Sequence, residues 1–444
     1  MTRARRVLVT VIPSDSESID GLCNSDIERN ENEIEEEDED AQEEEDDEDE
    51  EVEDEVLTED EEVEDEVVEI LEKDAKSKEN CVNKARSKDD IPFTKNFGPN
   101  IPEDIRTPLD LFSCLFSEDI LDLIVLQTNN YAHQNNRKQI PITKNELIIF
   151  LGINILMGIK KMPSYRDYWS SDPKLNDPYI SSLMTVNRFG FFLGNIHMTD
   201  NSKEPKRTEP NYDKLYKLRP MIDKLNENFK KYMTPSKYQS IDESMIKFKG
   251  CSSLKQYMPQ KPIKRGYKCW VCADESGYIC EFQIYTGKKE STEKDLGPRV
   301  VKELTRELVG DNHHVYFDNY FTSVKLMIDL KRDNIFACGT VCKDRKRLPK
   351  SDIPDKNLEP GKFEYKCSNT GVRWIKWMDK KPVNFLSNYH NPSEVTTVMR
   401  KQKYGSSKNV SCPVMCSDYN KYMSFVDKSD QLISTYKIDR KSKK

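Results

Sequence analysis

The chain has 444 residues, of which 69 are basic, 79 acidic and only 36% hydrophobic. That length allows two or three domains, but the apolar share is low for a chain folded throughout. The longest apolar run, LIIFLGINILMGI, has 13 residues and is interrupted by Asn154, which is too short to cross a bilayer and suits a core helix.

In chain order, the start MTRARRVLVTVIPSDS is basic but has too few apolar residues before Pro13 for a secretory signal. The 12 cysteines are therefore expected as reduced thiols in the cytosol or nucleus. Between Glu31 and Ile70, 28 of 40 residues are Asp or Glu and none is Lys or Arg. Such a block cannot bury enough apolar surface to fold alone, so residues 1–92 are expected to be disordered. Without it, 69 basic residues face 51 acidic ones (79 less 28), a surplus of 18. That surplus suits a polyanionic partner or a solvated Lys-rich surface, and the acidic block could compete in cis for the same basic surface.

Residues 93–235 read as helical, with no visible internal repeat. Thr107-Pro108 gives a cap followed by a first-turn proline, and FSEDILDLIVLQTNNYA repeats its apolar positions at three and four residues. Thr143 with Glu146 forms a capping box leading into the long apolar run.

After Pro235 the period changes. SIDESMIKFKG alternates loosely, and YKCWVCADES and GYICEFQIYTGK flank a Glu-Ser-Gly turn as a hairpin does. LGPRVVKELTREL is helical, HHVYFDNYFTS is a strand, SVKLMIDLKRDN a helix and IFACGTV a strand. The alternation predicts an α/β layer. A carboxylate, Asp318, ends the aromatic strand, where a lone charge is costly unless something pairs with it. From Lys343 a basic loop, KDRKRLPK, leads into EYKCSNTGVRWIKWMDKKPVNFLSNY, with the turn-separated aromatic pattern of a small β-rich module. SFVDKSDQLISTY closes the chain as a helix with Asp427 and Asp430 one turn apart on the same side.

Asp242 in the first strand, Asp318 at the end of the fourth and Asp427 on the last helix can converge on one sheet edge. Two hard divalent cations held there would stabilise the attacking and leaving oxygens of an in-line phosphoryl transfer. In a chain with 79 acidic residues, the alternative is that any three Asp are surface charges.

SIDESMIKFKG with PQKPIKRGYK, YFDNYFTS and YNKYMSFVDKSDQL, in that order, resemble the transposase of piggyBac-type elements and the cellular proteins derived from it. TPLDLF, TNNYA, ITKNELIIFLGINILMGIKKMPSYRDYWS and VNRFGFFLGNIHMTDN extend the resemblance from about residue 92 to the end. It implies an RNase H-like α/β catalytic core at 236–345 with a β-rich insertion at 346–412. A helical dimerisation and DNA-binding region at 93–235 would precede the core, and 413–444 would carry the last core helix. By motif position Asp242, Asp318 and Asp427 match the family's catalytic, metal-binding aspartates, and Asp430 a further required Asp.

The implied cofactor is a pair of Mg2+ ions, for which Mn2+ could substitute. The implied chemistry is cut-and-paste DNA transposition: nicking of the element's 3′ ends, hairpin formation and opening, then joining to TTAA sites. Double-stranded DNA, a homodimer and a nuclear location follow from the same resemblance, with no membrane partner. KDRKRLPK is an import candidate as well as a DNA-contacting one.

Lys247, Lys249, Lys261, Lys264, Arg265 and Lys268 follow the first Asp and could track DNA phosphates, as could Lys343, Arg345, Lys346 and Arg347; an ordinary solvated face is the alternative. Trp374 and Trp377 fall in the segment resembling the insertion domain, where an indole could stack on an unpaired base; packing in a small core is the other reading. Asn319 could support Asp318 by hydrogen bonding. Cys269 and Cys272 lie three apart in a strand, so their sulfurs are expected on opposite sides, which favours neither a redox pair nor a zinc half-site. Cys338 with Cys342 and Cys412 with Cys416 are poor zinc spacings, and His313 and His314 read as surface or structural residues.

Two departures from the family pattern stand out. Ser424 and Phe425 follow Met423 where the family has glycines. The family also continues past a segment like Arg440-Lys441-Ser442 into tryptophans, further helices and a cysteine-rich zinc domain, whereas this sequence ends at Lys444, so zinc is not expected. The leading expectation is a transposase or its derivative. The alternative is a catalytically inactive nuclear DNA-binding descendant, and the third is an interaction protein whose core is a scaffold.

Overall fold

The computed structural model describes residues 92–137, 140–287, 296–401 and 407–435. The acidic block and Arg440 to Ser442 lie outside the described residues.

The first part is helical, as its periodicity predicts. Helices α1 (Pro108–Leu115), α2 (Glu118–Gln134), α3 (Lys144–Ile159), α4 (Pro178–Leu183), α5 (Val186–Asn195) and α6 (Arg219–Tyr232) follow in order. Both expected starts form. The Thr107 and Thr143 side chains each accept from the backbone N–H three residues on, while Asp110 and Glu146 reach back to the cap N–H, satisfying donors the helix leaves unpaired. Leu147, Phe150 and Ile153 of α3 pack with Phe189 and Phe192 of α5 in one buried core, the Phe150 and Phe192 rings stacked at 4.8 Å.

The second part is built on a nine-stranded sheet. Its strands are β1 (Tyr238–Lys247), β2 (Lys255–Tyr257), β3 (Arg265–Asp274), β4 (Ile279–Ile284), β5 (His314–Phe317), β6 (Phe336–Thr340), β7 (Phe363–Cys367), β8 (Arg373–Met378) and β9 (Pro382–Ser387). The spatial order is β2-β3-β1-β5-β6-β9-β8-β7, with β4 also on β3. Strands β4, β3 and β1 are antiparallel, whereas β1, β5 and β6 run parallel, joined through α7 (Leu296–Leu304) and α8 (Val324–Arg332). The strands of the expected β-rich module extend this sheet, because Phe385, Leu386 and Ser387 of β9 pair with Thr340, Gly339 and Cys338 of β6. β10 (Val395–Lys401) and β11 (Ser407–Pro413) stand apart from it, paired with each other. Helices α9 (Val414–Tyr422) and α10 (Phe425–Thr435) complete the described chain.

Both faces of the sheet are covered. On one, Ile241, Val315, Phe317 and Trp374 pack with Val300 and Val301 of α7 and Leu326, Met327 and Leu330 of α8. On the other, Tyr316, Ile375 and Trp377 meet Met415 and Cys416 of α9, while Cys269, Val271 and Ala273 meet Phe425 and Val426 of α10. The helical part docks through Asn226 of α6: its side chain donates to Phe282 O and accepts from Phe282 N, both at 3.0 Å, so it satisfies backbone groups of β4.

Candidate metal centre

Strand register brings the first two aspartates together. The parallel pairing of β1 and β5 ends with Ile241 beside Phe317, so the next residues on the two strands, Asp242 and Asp318, are neighbours. β5 stops after four residues because Asp318 turns the chain, its Oδ1 accepting from Tyr320 N at 3.0 Å. Where β5 ends the sheet opens, and Glu243 reaches the same place. Carboxylate oxygens of Asp242, Glu243 and Asp318 lie within 4.8 Å of one another. Acids this close repel when charged, and burial adds to the cost. Burial pushes the Asp242 carboxyl up to about 7 against the pull of Lys261. Burial and then the charge of Glu243 raise Asp318.

Two lysines face this cluster. Lys261 Nζ lies 3.4 Å from Asp242 Oδ2 and donates to Glu243 O at 2.9 Å. Lys268 donates to Glu243 Oε1 at 2.8 Å and sits over the rings of Tyr320 and Trp270, 5.1 and 5.6 Å from their centroids. Both were expected as phosphate-tracking residues, but here they are engaged with the acids. Arg345, from the basic loop, has a bracing role: its guanidinium donates to Asn319 O and, at 3.3 Å, to Tyr320 O. The link at Asn319 therefore runs through its carbonyl, and the Asn319 side chain is exposed.

Helix α10 is pinned across β1 on either side of Asp242. Val426 N donates to Ser240 Oγ at 3.3 Å, and Ser244 Oγ donates to Asp430 Oδ1 at 2.6 Å. Burial raises Asp430 while the Ser244 hydroxyl opposes the rise. Asp430 is thus tied to the docking of its helix. Asp427, between the two pins, is exposed and outside the three-carboxylate group, although its charge contributes to holding Lys261 protonated. The β3–β4 turn holds the other side of α10, with Lys428 Nζ donating to Glu275 O at 2.9 Å. Gly277 in that turn has φ +83°, which favours glycine, and a Cβ there would press on Lys428 Cγ and Leu432 Cδ1 at 3.2 Å. The Ser424-Phe425 departure does not disturb the helix start: neither Met423 nor Ser424 has a positive φ, and Phe425 is buried against β3.

Lys247, Lys249, Lys264 and Arg265 are exposed, as are Lys343 and Lys346, while Arg347 is half-buried. Trp374 and Trp377 are not surface platforms. They are 4% and 2% exposed, packed into cores on opposite faces of the sheet, and no indole face is left for a base. Cys269 and Cys272 do point to opposite faces, and Cys338, Cys342, Cys412 and Cys416 are free thiols. His313 is fully buried with Nδ1 2.9 Å from Ser236 O, a structural position, and burial lowers His314 to about 3.

Glu243 was not anticipated, because strand alternation sends it away from Asp242 and its meeting with Asp318 depends on where a non-local neighbour strand ends. Its direct adjacency to Asp242 in SIDES was the available signal.

The donor set is all carboxylate oxygen, which suits a hard divalent cation, and such a charge would offset the burial and the mutual repulsion that raise Asp242 and Asp318. Among the described residues this is the one group of three or more potential ligands. No helix among the described residues is long and apolar enough to cross a membrane.

Comparison with known proteins gives a consistent result. The profile of a family described as Transposase IS4 matches residues 107–444. The chain is 33% identical over 349 residues to PiggyBac transposable element-derived protein 3 of Homo sapiens, covering 77% of this chain and 58% of that protein. It is 30% identical over 350 residues to PiggyBac transposable element-derived protein 2 of Homo sapiens, covering 76% and 58%. The chain therefore spans less than two thirds of the length of these two relatives. Its fold is similar to that of a piggyBac transposase solved by cryo-EM in a synaptic complex with hairpin DNA, with a TM-score of 0.66, 24% identity, and 79% of this chain and 73% of that chain covered.

Proposed function

Because the chain belongs to the family of piggyBac-type transposases and their transposable element-derived relatives, we propose that it cleaves and joins DNA at a divalent metal centre formed by Asp242, Glu243 and Asp318. The observation that carries the proposal is the register of β1 and β5, which makes Asp242 and Asp318 neighbours at the ends of a parallel pair. The strand order β4-β3-β1-β5-β6, three antiparallel strands followed by two parallel ones, supports an RNase H-like core.

When bound, Mg2+ or Mn2+ supplies Lewis-acid stabilisation of charge developing on phosphate oxygens. The chain's own part is positional. Lys268 holds Glu243, Arg345 braces the loop that aims Asp318, and Ser240 with Ser244 fixes the helix that brings Asp427 alongside. Lys247, Lys249, Lys264, Arg265, Lys343 and Lys346 are the exposed candidates for backbone phosphates. The DNA partner comes by analogy with the relative solved on hairpin DNA, and the assignment extends to transposition at TTAA sites by a nuclear homodimer. The test is incubation with supercoiled plasmid: nicks mapping to TTAA in Mg2+ and none in EDTA support the reading, and an intact plasmid in both sinks it.

The raised Asp242 carboxyl gives a pH dependence. With a folded pKa above the unfolded one, protonated Asp242 contributes stability that is present below the usual carboxylate range and lost as pH rises through about 7. A divalent cation must displace that proton, so Mn2+ affinity is expected to fall by up to about tenfold per pH unit below this value. Calorimetric titration at pH 6 and pH 8 checks it; equal affinity at both would contradict the assignment of Asp242 as ligand.

A second reading, a DNA-binding descendant without catalysis, is favoured by one observation: Lys261 already offsets the charge of Asp242, so the acids are tolerable without a metal.

A further inference from the structure

Lys261 puts a cation beside the acids that would hold the metal. It lies in the turn between β2 and β3, flanked closely by Pro259 and Pro262, with its ammonium 3.4 Å from Asp242 Oδ2 and 2.9 Å from Glu243 O. The Lys261 side chain is 23% exposed and that of Asp242 15%, so solvent screens the pair only partly. An ammonium and a divalent cation sharing one carboxylate repel each other at such distances. Lys268, the other lysine of the site, is anchored by Glu243 Oε1 and by aromatic faces, and supports a ligand without facing Asp242 in the same way. Lys261 has a flexible four-carbon stem and an exposed side, so it can leave.

Resting on the metal reading above, we propose that Lys261 is an exchangeable counter-ion: it neutralises Asp242 in the metal-free protein and gives up that carboxylate when a divalent cation binds. Three consequences follow. Lys261 competes with the metal, it keeps the metal-free site folded, and once displaced it presents a positive group beside the centre for a DNA phosphate.

The test is titration of the full chain with Mn2+ at pH 8 or above, where Asp242 is ionised and Lys261 rather than a proton faces it, following free Mn2+ by its paramagnetic resonance signal. Lys261→Met, which keeps the length and removes the charge, is expected to bind Mn2+ about tenfold more tightly than the wild type. Lys261→Arg, which keeps the charge, should bind as the wild type does. Without Mn2+, Lys261→Met should melt at lower temperature than the wild type, and saturating Mn2+ should abolish that difference. Binding by the wild type that Lys261→Met leaves unchanged or weakens overturns the exchange alone. Absence of Mn2+ binding by all three proteins overturns the metal reading and the exchange with it.

Discussion

Asp318→Asn is expected to lower Mg2+-dependent nicking by about 100-fold or more while leaving the melting temperature equal to or above that of the wild type. The loss follows from removing one of three acidic ligands: a metal's stabilisation of phosphoryl charge is worth several kcal/mol, and about 1.4 kcal/mol is tenfold in rate. The unchanged or increased stability follows from the opposite sign of the fold's own energetics. Burial and the charge of Glu243 both disfavour ionised Asp318, and a neutral amide removes that repulsion. The asparagine Oδ1 can still accept from the backbone N–H of Tyr320, as the carboxylate does, so the turn that ends β5 survives. A residue held for structure would behave the other way, with activity and stability falling together. Plasmid nicking and a thermal melt on the same preparation separate the two.

Trp377→Ala is expected to cost about 3–5 kcal/mol of stability, the range for deleting a buried indole from a packed core. The side chain is 2% exposed among Tyr316, Ile375, Phe385, Met415 and Cys416, and its Nε1 donates to Ser411 O at 3.1 Å. The Arg400 guanidinium lies 5.6 Å from its ring centroid. The indole thus ties β8 to the β10–β11 ribbon, and its removal leaves both a cavity and an unpaired carbonyl. Urea denaturation reads the cost directly. A loss below about 1 kcal/mol together with weaker DNA binding would restore the base-stacking role that the burial argues against.

These two residues show what the sequence made legible. Asp318 stood out because a carboxylate ending an aromatic strand requires a reason, and Val315, Tyr316 and Phe317 are indeed buried in a strand ahead of it. The capping boxes at Thr107 and Thr143 were equally readable, since both partners lie within one turn. Trp377 allowed two readings because aromatic residues alternating with turns describe a core strand and a stacking surface alike, and only the neighbours across the sheet decide. Glu243 and Lys261 required the same non-local knowledge: where β5 stops, and that the turn after β2 folds back over β1. Arg345 was read as part of a basic run, yet the loop carries it onto the backbone of the Asp318 turn. The extension of the sheet through β9 came from pairing with β6, a strand more than 40 residues earlier that no local pattern announces.

The central claim is that Asp242, Glu243 and Asp318 together hold a divalent cation. Crystals of the full chain soaked in Mn2+ and measured for anomalous scattering test it most directly. The account predicts a peak about 2.1 Å from a carboxylate oxygen of each of the three residues, with the Lys261 ammonium withdrawn from Asp242. No peak there, with Lys261 still paired to Asp242, would contradict it.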